Sequence, residues 1–267
     1  MTIKLRERLF WGFFAASTAG LVVAGATLWS LGPGEIERMR ISGFANPDAP
    51  GFYTALAAAV ACAIYAVAVS GLIAFRSGRS ASMEIFFFAL WAFCQIFELA
   101  RIGSLALGSS GAGAGSYGVM TMIALFGRYS GSIAIFVGSL FSVGLKQERG
   151  IPAFSAVIMA GLLFATMHPL NSVVPGRDLL ADRGVALLAG MFQGALFMLA
   201  MADYVMAWRS AKDRAYLVAG IGLALCVIGS IALKSATSPW LAAASLPALI
   251  VGTWVYLKSL HDYYLWR

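Results

Sequence analysis

Apolar residues in this chain fall into eight long runs, and the short segments between the runs hold most of the charge. At about 1.5 Å of rise per residue, roughly twenty residues cross the hydrocarbon core of a bilayer, so each run has the length of a transmembrane helix. The runs lie at approximately 9–31, 52–75, 84–107, 119–145, 151–173, 185–208, 216–233 and 240–260. The last two are separated only by Lys234-Ser235-Ala236-Thr237-Ser238-Pro239. A single helix across both would be about twice the needed length, and Pro239 after a polar cluster predicts a turn. The expected fold is therefore all-α: residues 1–267 form one bundle of about eight transmembrane helices.

Composition agrees with this pattern. The chain is 60% hydrophobic and 12% charged, with a mean hydropathy of +0.82, whereas about a quarter of residues are charged in soluble domains. The net charge of +7 would suggest a nucleic-acid partner in a soluble protein. Here the basic residues punctuate apolar runs, which makes them a topology signal and excludes nucleic acid as the expected partner. Placing the N-terminus inside puts twelve on the inner side: Lys4, Arg6, Arg8, Arg76, Arg79, Lys146, Arg149, Arg209, Lys212, Arg214, Lys258 and Arg267. Five fall outside: Arg38, Arg40, Arg177, Arg183 and Lys234. The excess predicts both termini in the cytoplasm and a multi-pass protein of a bacterial-type cytoplasmic (inner) membrane.

The remaining segments offer little room for other domains. Lys4, Arg6 and Arg8 precede an apolar run ending in a cleavage-like Ala24-Gly25-Ala26, which is read as a retained helix. Segment 32–51 carries Glu35, Glu37, Arg38, Arg40 and Asp48 and suits a brief interfacial helix. Segment 108–118, GSSGAGAGSYG, is a flexible loop by composition, without the signature of a phosphate-binding loop. Small residues recur at four-residue spacing in Ala16, Gly20 and Ala24, in Gly127 and Gly131, and in Ala186, Gly190 and Gly194, which predicts close helix contacts. The basic, aromatic tail 257–267 places Tyr263, Tyr264 and Trp266 as interfacial anchors.

Within the apolar runs, a few polar residues stand out. Glu98 and Arg101 are three apart on the third run, and Gln95 is one turn from Glu98 on the same stripe. From the helical rise, Glu98 lies about 21 Å and Arg101 about 25 Å beyond the run's start. Arg128 and Gln193 lie about 13 and 12 Å into runs that descend from the other side, and His168 lies within roughly 8 Å of that same surface. These residues converge on one level of the outer half. A charge at mid-membrane costs at least about 2.5–3.5 kcal/mol, so such groups pair, face the bundle interior or mark a functional path. Two readings follow. In one, Arg128 anchors a small anion or lipid headgroup in an outward pocket, oriented by Glu98. In the other, a Glu98–Arg128 bridge clamps two helices while Arg101 snorkels to the surface. The candidate ligand-binding residues are Glu98, Arg101, Arg128, His168, Gln193 and Gln95. Asp203, beside Tyr204 and Arg209, is expected to be solvated at the inner interface.

Several chemistries lack their residues. A bis-histidine haem needs paired intramembrane histidines, and His261 lies in the tail. There is no HExxH for zinc and no GxSxG for a serine hydrolase. Cys62, Cys94 and Cys226 have no metal-ligand spacing and read as buried apolar residues. Arg128-Tyr129 resembles the Arg-Tyr pair in the third helix of microbial rhodopsins. However, Lys234 ends a helix beside a turn, Gly131 or Ser132 stands where a carboxylate counter-ion would follow, and the helix count is eight. No catalytic residue, metal or cofactor is therefore assigned. The expected function is a non-enzymatic sensor, receptor-like protein or complex subunit that binds a small anion or lipid, with membrane lipids and other membrane proteins as partners. The alternatives are a small secondary transporter that uses Glu98 and Arg128 and, third, a membrane-embedded enzyme.

Overall fold

The computed structural model describes residues 1–41, 51–76, 82–111, 114–176, 178–236 and 238–265. Asp48, Arg79, Arg177, Thr237, Trp266 and Arg267, together with the middle of the glycine-rich segment at 112–113, lie outside the described residues, as do the side chains of Asn171 and Tyr264. Eight helices are long and apolar enough to cross a membrane: α1 (Ile3–Ile41), α2 (Phe52–Arg76), α3 (Met83–Ser109), α4 (Ala114–Ser142), α5 (Gly150–Met167), α6 (Ala186–Ala211), α7 (Arg214–Lys234) and α8 (Pro239–Leu265). They fit a multi-pass membrane protein. Because the helices alternate in direction and their number is even, both termini lie at one end of the bundle, here the terminal end. The last residues of α1, α3, α5 and α7 and the first residues of α2, α4, α6 and α8 lie at the other.

The segment between α5 and α6 departs from the expected helix. The fifth run was expected to stay helical to Val173, but α5 stops at Met167 and His168 caps it in an extended conformation. Pro169 follows, and a residue before proline is driven out of the helical region. The chain then forms an antiparallel hairpin, β1 (Leu170–Pro175) with β2 (Ala181–Arg183). This end of the bundle is the hairpin end. The tip of the hairpin turns inward. Leu179 and Leu180 are each 0% exposed; Leu179 packs with Met39, Phe52 and Leu105, and Leu180 with Ala100 and Ala124. Leu179 has φ of 63°, which costs a non-glycine residue about 1–2 kcal/mol. Withdrawing two leucines from water, at about 2 kcal/mol each, offsets that strain.

Elsewhere the helices follow their sequences. α3 is apolar on all sides in Met83–Cys94, and it is the central helix, with Phe86, Phe87, Phe88 and Leu90 buried. Ser82 caps its start, accepting a hydrogen bond from the Glu84 amide at 3.2 Å. α1 runs longer than expected: Gly32, at φ 66°, and Pro33 kink it, and the helical turn beyond is the anticipated short helix of segment 32–51. There Arg40 pairs with Glu37 at 2.5 Å. α6 and α7 meet in a tight turn at Lys212, φ 54°, and Asp213 caps α7 by accepting from the Ala215 amide at 2.9 Å. α7 and α8 form a close hairpin: a Cβ on Gly222 would stand 2.7 Å from the Tyr256 amide nitrogen, and one on Gly252 would stand 2.7 Å from the Cys226 amide nitrogen. Tyr263 stacks on Tyr216 at 4.6 Å between ring centres, so it is a packing residue and not the exposed anchor expected of the tail.

Candidate functional site

The charged cluster is built where α3 changes its winding. Residues Gln95–Leu99 form a 3-10 turn inside α3. Such tighter winding inside a helix is uncommon and shifts where side chains point. α4 approaches this turn very closely: a Cβ on Gly127 would stand 2.5 Å from Phe97 Cβ and 2.8 Å from the Cys94 carbonyl oxygen. Only glycine fits there, and the contact brings the next residue, Arg128, against Glu98. Arg128 Nε donates to Glu98 Oε1 at 2.7 Å and Nη2 to Oε2 at 2.9 Å. Arg101 Nη2 lies 2.8 Å from the same Oε2. One carboxylate, 2% exposed, therefore serves two guanidiniums that are 1% and 12% exposed. In so buried a setting the attraction is stronger than at a surface, but it is offset by the cost of taking the ions out of water, so what the pairing fixes is geometry.

Arg101 does not snorkel. Nη2 also donates to the Lys234 carbonyl oxygen at 2.9 Å and Nη1 to the Ala55 carbonyl oxygen at 3.4 Å. The side chain ties α3 to the first turn of α2 and the last residue of α7, whose carbonyl the helix leaves without an intrahelical donor. Nε alone has no hydrogen-bond partner among the described residues. Gln95 also stays inside, donating from Nε2 to the Trp91 carbonyl oxygen at 3.3 Å and accepting from Ser230 Oγ at 3.2 Å.

Next to this cluster is a cavity of about 510 Å³. Gln95, Arg128 and Gln193 line it, whereas Glu98, Arg101 and His168 do not. The cavity also contains residues that were not among the site candidates from the sequence: Asp178, Asp182 and Arg183 from the hairpin, and Ser230 and Lys234 from α7. Arg183 Nη2 contacts Asp178 Oδ2 at 2.6 Å, and Arg128 Nη1 is 3.9 Å from that oxygen. Burial first, then the neighbouring Arg128, hold the Arg183 guanidinium below its ordinary pKa despite Asp178. Lys234 is half-buried on the wall, and among the described residues no carboxylate lies within 4.0 Å of its ammonium. A lysine that lines a cavity together with Arg128 and Arg183, with no carboxylate in contact among the described residues, is suited to hold a negatively charged group.

Polarity changes along the cavity's length. Gln95, Arg128, Gln193, Lys234 and the hairpin residues occupy the hairpin end. One to two helical turns deeper, about 6 Å from Gln95 to Trp91 and from Gln193 to Phe197 and about 10 Å from Arg128 to Ile135 by the helical rise, the lining is Trp91, Ile135, Phe197 and Val227.

His168 belongs elsewhere. Nδ1 and the Tyr129 hydroxyl are 2.9 Å apart, and Tyr129 packs against Phe164 and Phe192. The pair closes the α4–α5–α6 contact, and His168 Nε2 is buried without a partner among the described residues. Asp203 is likewise not simply solvated: its Oδ2 accepts from Ser139 Oγ at 2.7 Å, linking α6 to α4. The anticipated seam at Gly127 and Gly131 is present, and a Cβ on Gly20 would stand 3.2 Å from the Ile96 side chain. At Gly190 and Gly194 an added Cβ would meet nothing within 4 Å, so that stripe packs against no other helix of the described chain. The chain matches no family model, no curated protein and no solved structure.

Proposed function

We propose that this protein is a non-enzymatic membrane sensor, receptor-like protein or complex subunit that binds an anionic group, from a small anion or a lipid head, in the cavity at its hairpin end. The observation that carries the reading is the Lys234 ammonium, which faces the cavity beside Arg128 and Arg183 with no carboxylate in contact among the described residues. Glu98 is already occupied by two arginines, so it acts as a brace that sets Arg128 in place and leaves the ligand's charge to be met by Lys234 and the outer face of Arg128. The twelve-to-five distribution of basic residues supports cytoplasmic termini in an inner membrane, with the hairpin end outside. The exposed aromatics Trp29 and Trp240, both near that end, suit an interfacial level. The apolar floor of Trp91, Ile135, Phe197 and Val227 favours binding over a transport path, because it separates the charged end from Asp203. With short loops, output passes through partner helices, for which the exposed surface of α6 is available.

The test is a thermal melt in phosphatidylcholine nanodiscs with inorganic phosphate added. Saturable stabilisation of the wild type, absent in Lys234→Gln, is expected. No stabilisation, or equal stabilisation of both proteins, would reject the reading.

A further inference from the structure

Two features of the cavity say more about what it holds: the direction of its polarity gradient and where it is covered. Its charged end abuts the hairpin, whose residues Gly176, Asp178, Ala181, Asp182 and Arg183 close it from that side. The hairpin is itself pinned, since the Ala181 amide donates to Thr121 Oγ1 at 2.8 Å and Leu179 and Leu180 are buried in the bundle. Access from the end of the bundle is therefore obstructed by an anchored element.

The flank between α6 and α7 differs. These helices contact each other near their shared turn at the terminal end, where Tyr204 Cβ would lie 3.1 Å from a Cβ on Gly220. Toward the hairpin end the cavity stands between them, with Gln193 and Phe197 on one wall and Val227, Ser230, Ile231 and Lys234 on the other. The rim there is open to the surroundings. Ile231 is 54% exposed, Ser235 is exposed, and nothing lies within 4 Å of a Cβ on Gly194. In a membrane this flank faces acyl chains.

We infer that the occupant is an anionic membrane lipid, held with its phosphate at Lys234, Arg128 and Arg183 and with the start of its chain along Phe197, Val227, Ile135 and Trp91, and that it reaches the site sideways between α6 and α7. The inference rests on the anion-binding reading above and extends it. A free anion would use the charged end alone and leave the apolar lining of Trp91, Ile135, Phe197 and Val227 unoccupied, a combination that suits an amphiphile oriented as lipids are in the bilayer. The cavity, at about 510 Å³, accommodates a headgroup and the first part of a chain; the rest leaves through the open flank.

Native mass spectrometry from nanodiscs tests this. The full chain is placed in phosphatidylcholine discs with a small fraction of phosphatidate, or in pure phosphatidylcholine discs with inorganic phosphate. The wild type, Lys234→Gln and Phe197→Trp are compared, with melting temperatures checked for folding. One retained phosphatidate per chain, bound at least tenfold more tightly than phosphate and weakened at least tenfold by either substitution, is the expected result. If Phe197→Trp does not fold, Val227→Phe on the facing wall makes the same test. Phosphate bound as tightly as phosphatidate, lost in Lys234→Gln and unaffected by Phe197→Trp, would overturn the lipid inference and keep the anion site. If neither probe is retained, or both survive Lys234→Gln, the inference and the anion-binding reading fail together.

Discussion

Glu98 and Arg101, three apart in an apolar run, were visible in the sequence, and so was the depth match with Arg128. Their division of labour was not, because it depends on which way the side chains turn. Spacing cannot show that a 3-10 turn at Gln95–Leu99 aims Glu98 at α4, or that Arg101 ends on the carbonyl oxygens of Ala55 and Lys234. In one reading of the sequence, Glu98 bridges Arg128 while Arg101 snorkels; in the structure one carboxylate holds both, so Arg128→Ala and Arg101→Ala should be comparably damaging. Each should cost about 1.5–3 kcal/mol, the usual effect of losing hydrogen bonds to a charged group, because the remaining arginine still pairs with Glu98, measured by denaturant or thermal unfolding in detergent. A negligible effect of Arg101→Ala would show that its carbonyl contacts do not hold α2 and α7. Lys234 behaves in the opposite way. Its ammonium has no carboxylate in contact among the described residues, so Lys234→Gln should raise the stability of the ligand-free protein by about 1 kcal/mol, since functional sites commonly sacrifice stability. A loss of stability on that substitution would mean that the lysine is structural. His168 titrates differently. Burial, then Arg183, lower its pKa from the ordinary 6.5, so the unfolded chain binds the proton more readily than the folded one. The stabilising contribution is complete above pH 6.5 and lost as the pH falls below it. His168→Gln should flatten that acid limb of the melting curve, and an unchanged limb would remove His168 as its source.

At the level of elements, the eight runs were legible because length and apolarity alone define a membrane-crossing helix. Their pairing was only partly so. Glycine spacing pointed correctly to the α3–α4 contact at Gly127 but equally to Gly190 and Gly194, where nothing approaches. It also missed the tight α7–α8 contact at Gly222 and Gly252. A repeat of small residues shows that a close approach is allowed, and only the partner helix decides whether it occurs. The two cases predict different outcomes. Gly127→Ala should destabilise by about 1–3 kcal/mol through overpacking, whereas Gly190→Ala should fall within about 0.5 kcal/mol of wild type. Equal effects in a thermal melt would contradict the packing described. The β-hairpin was illegible for a related reason. The run 151–173 is apolar enough to read as helix to its end, and only Pro169 hinted at the stop after Met167.

For the whole molecule, the sequence showed a bundle with a polar level near one end but not the cavity. Three of its charged residues, Asp178, Asp182 and Arg183, come from a segment that reads as a loop, and Lys234 reads as a topology marker. They become a site only when the hairpin folds back over the ends of α4 and α7. With Glu98 neutralising part of the arginine charge, four cationic side chains, Arg101, Arg128, Arg183 and Lys234, face the carboxylates of Glu98, Asp178 and Asp182, and the cationic excess sits at Lys234. The proposed orientation puts this end outside, and a C-terminal reporter should accordingly be found in the cytoplasm; a reporter on the outer face would invert the orientation. The central claim is that the cavity holds an anionic molecule through Lys234. It is tested most directly by native mass spectrometry of wild type and Lys234→Gln, each extracted gently from the membrane in which it was made. A single defined anionic mass on the wild type, absent from a folded Lys234→Gln, is the predicted result. The same occupancy in both, or none in either, would contradict it.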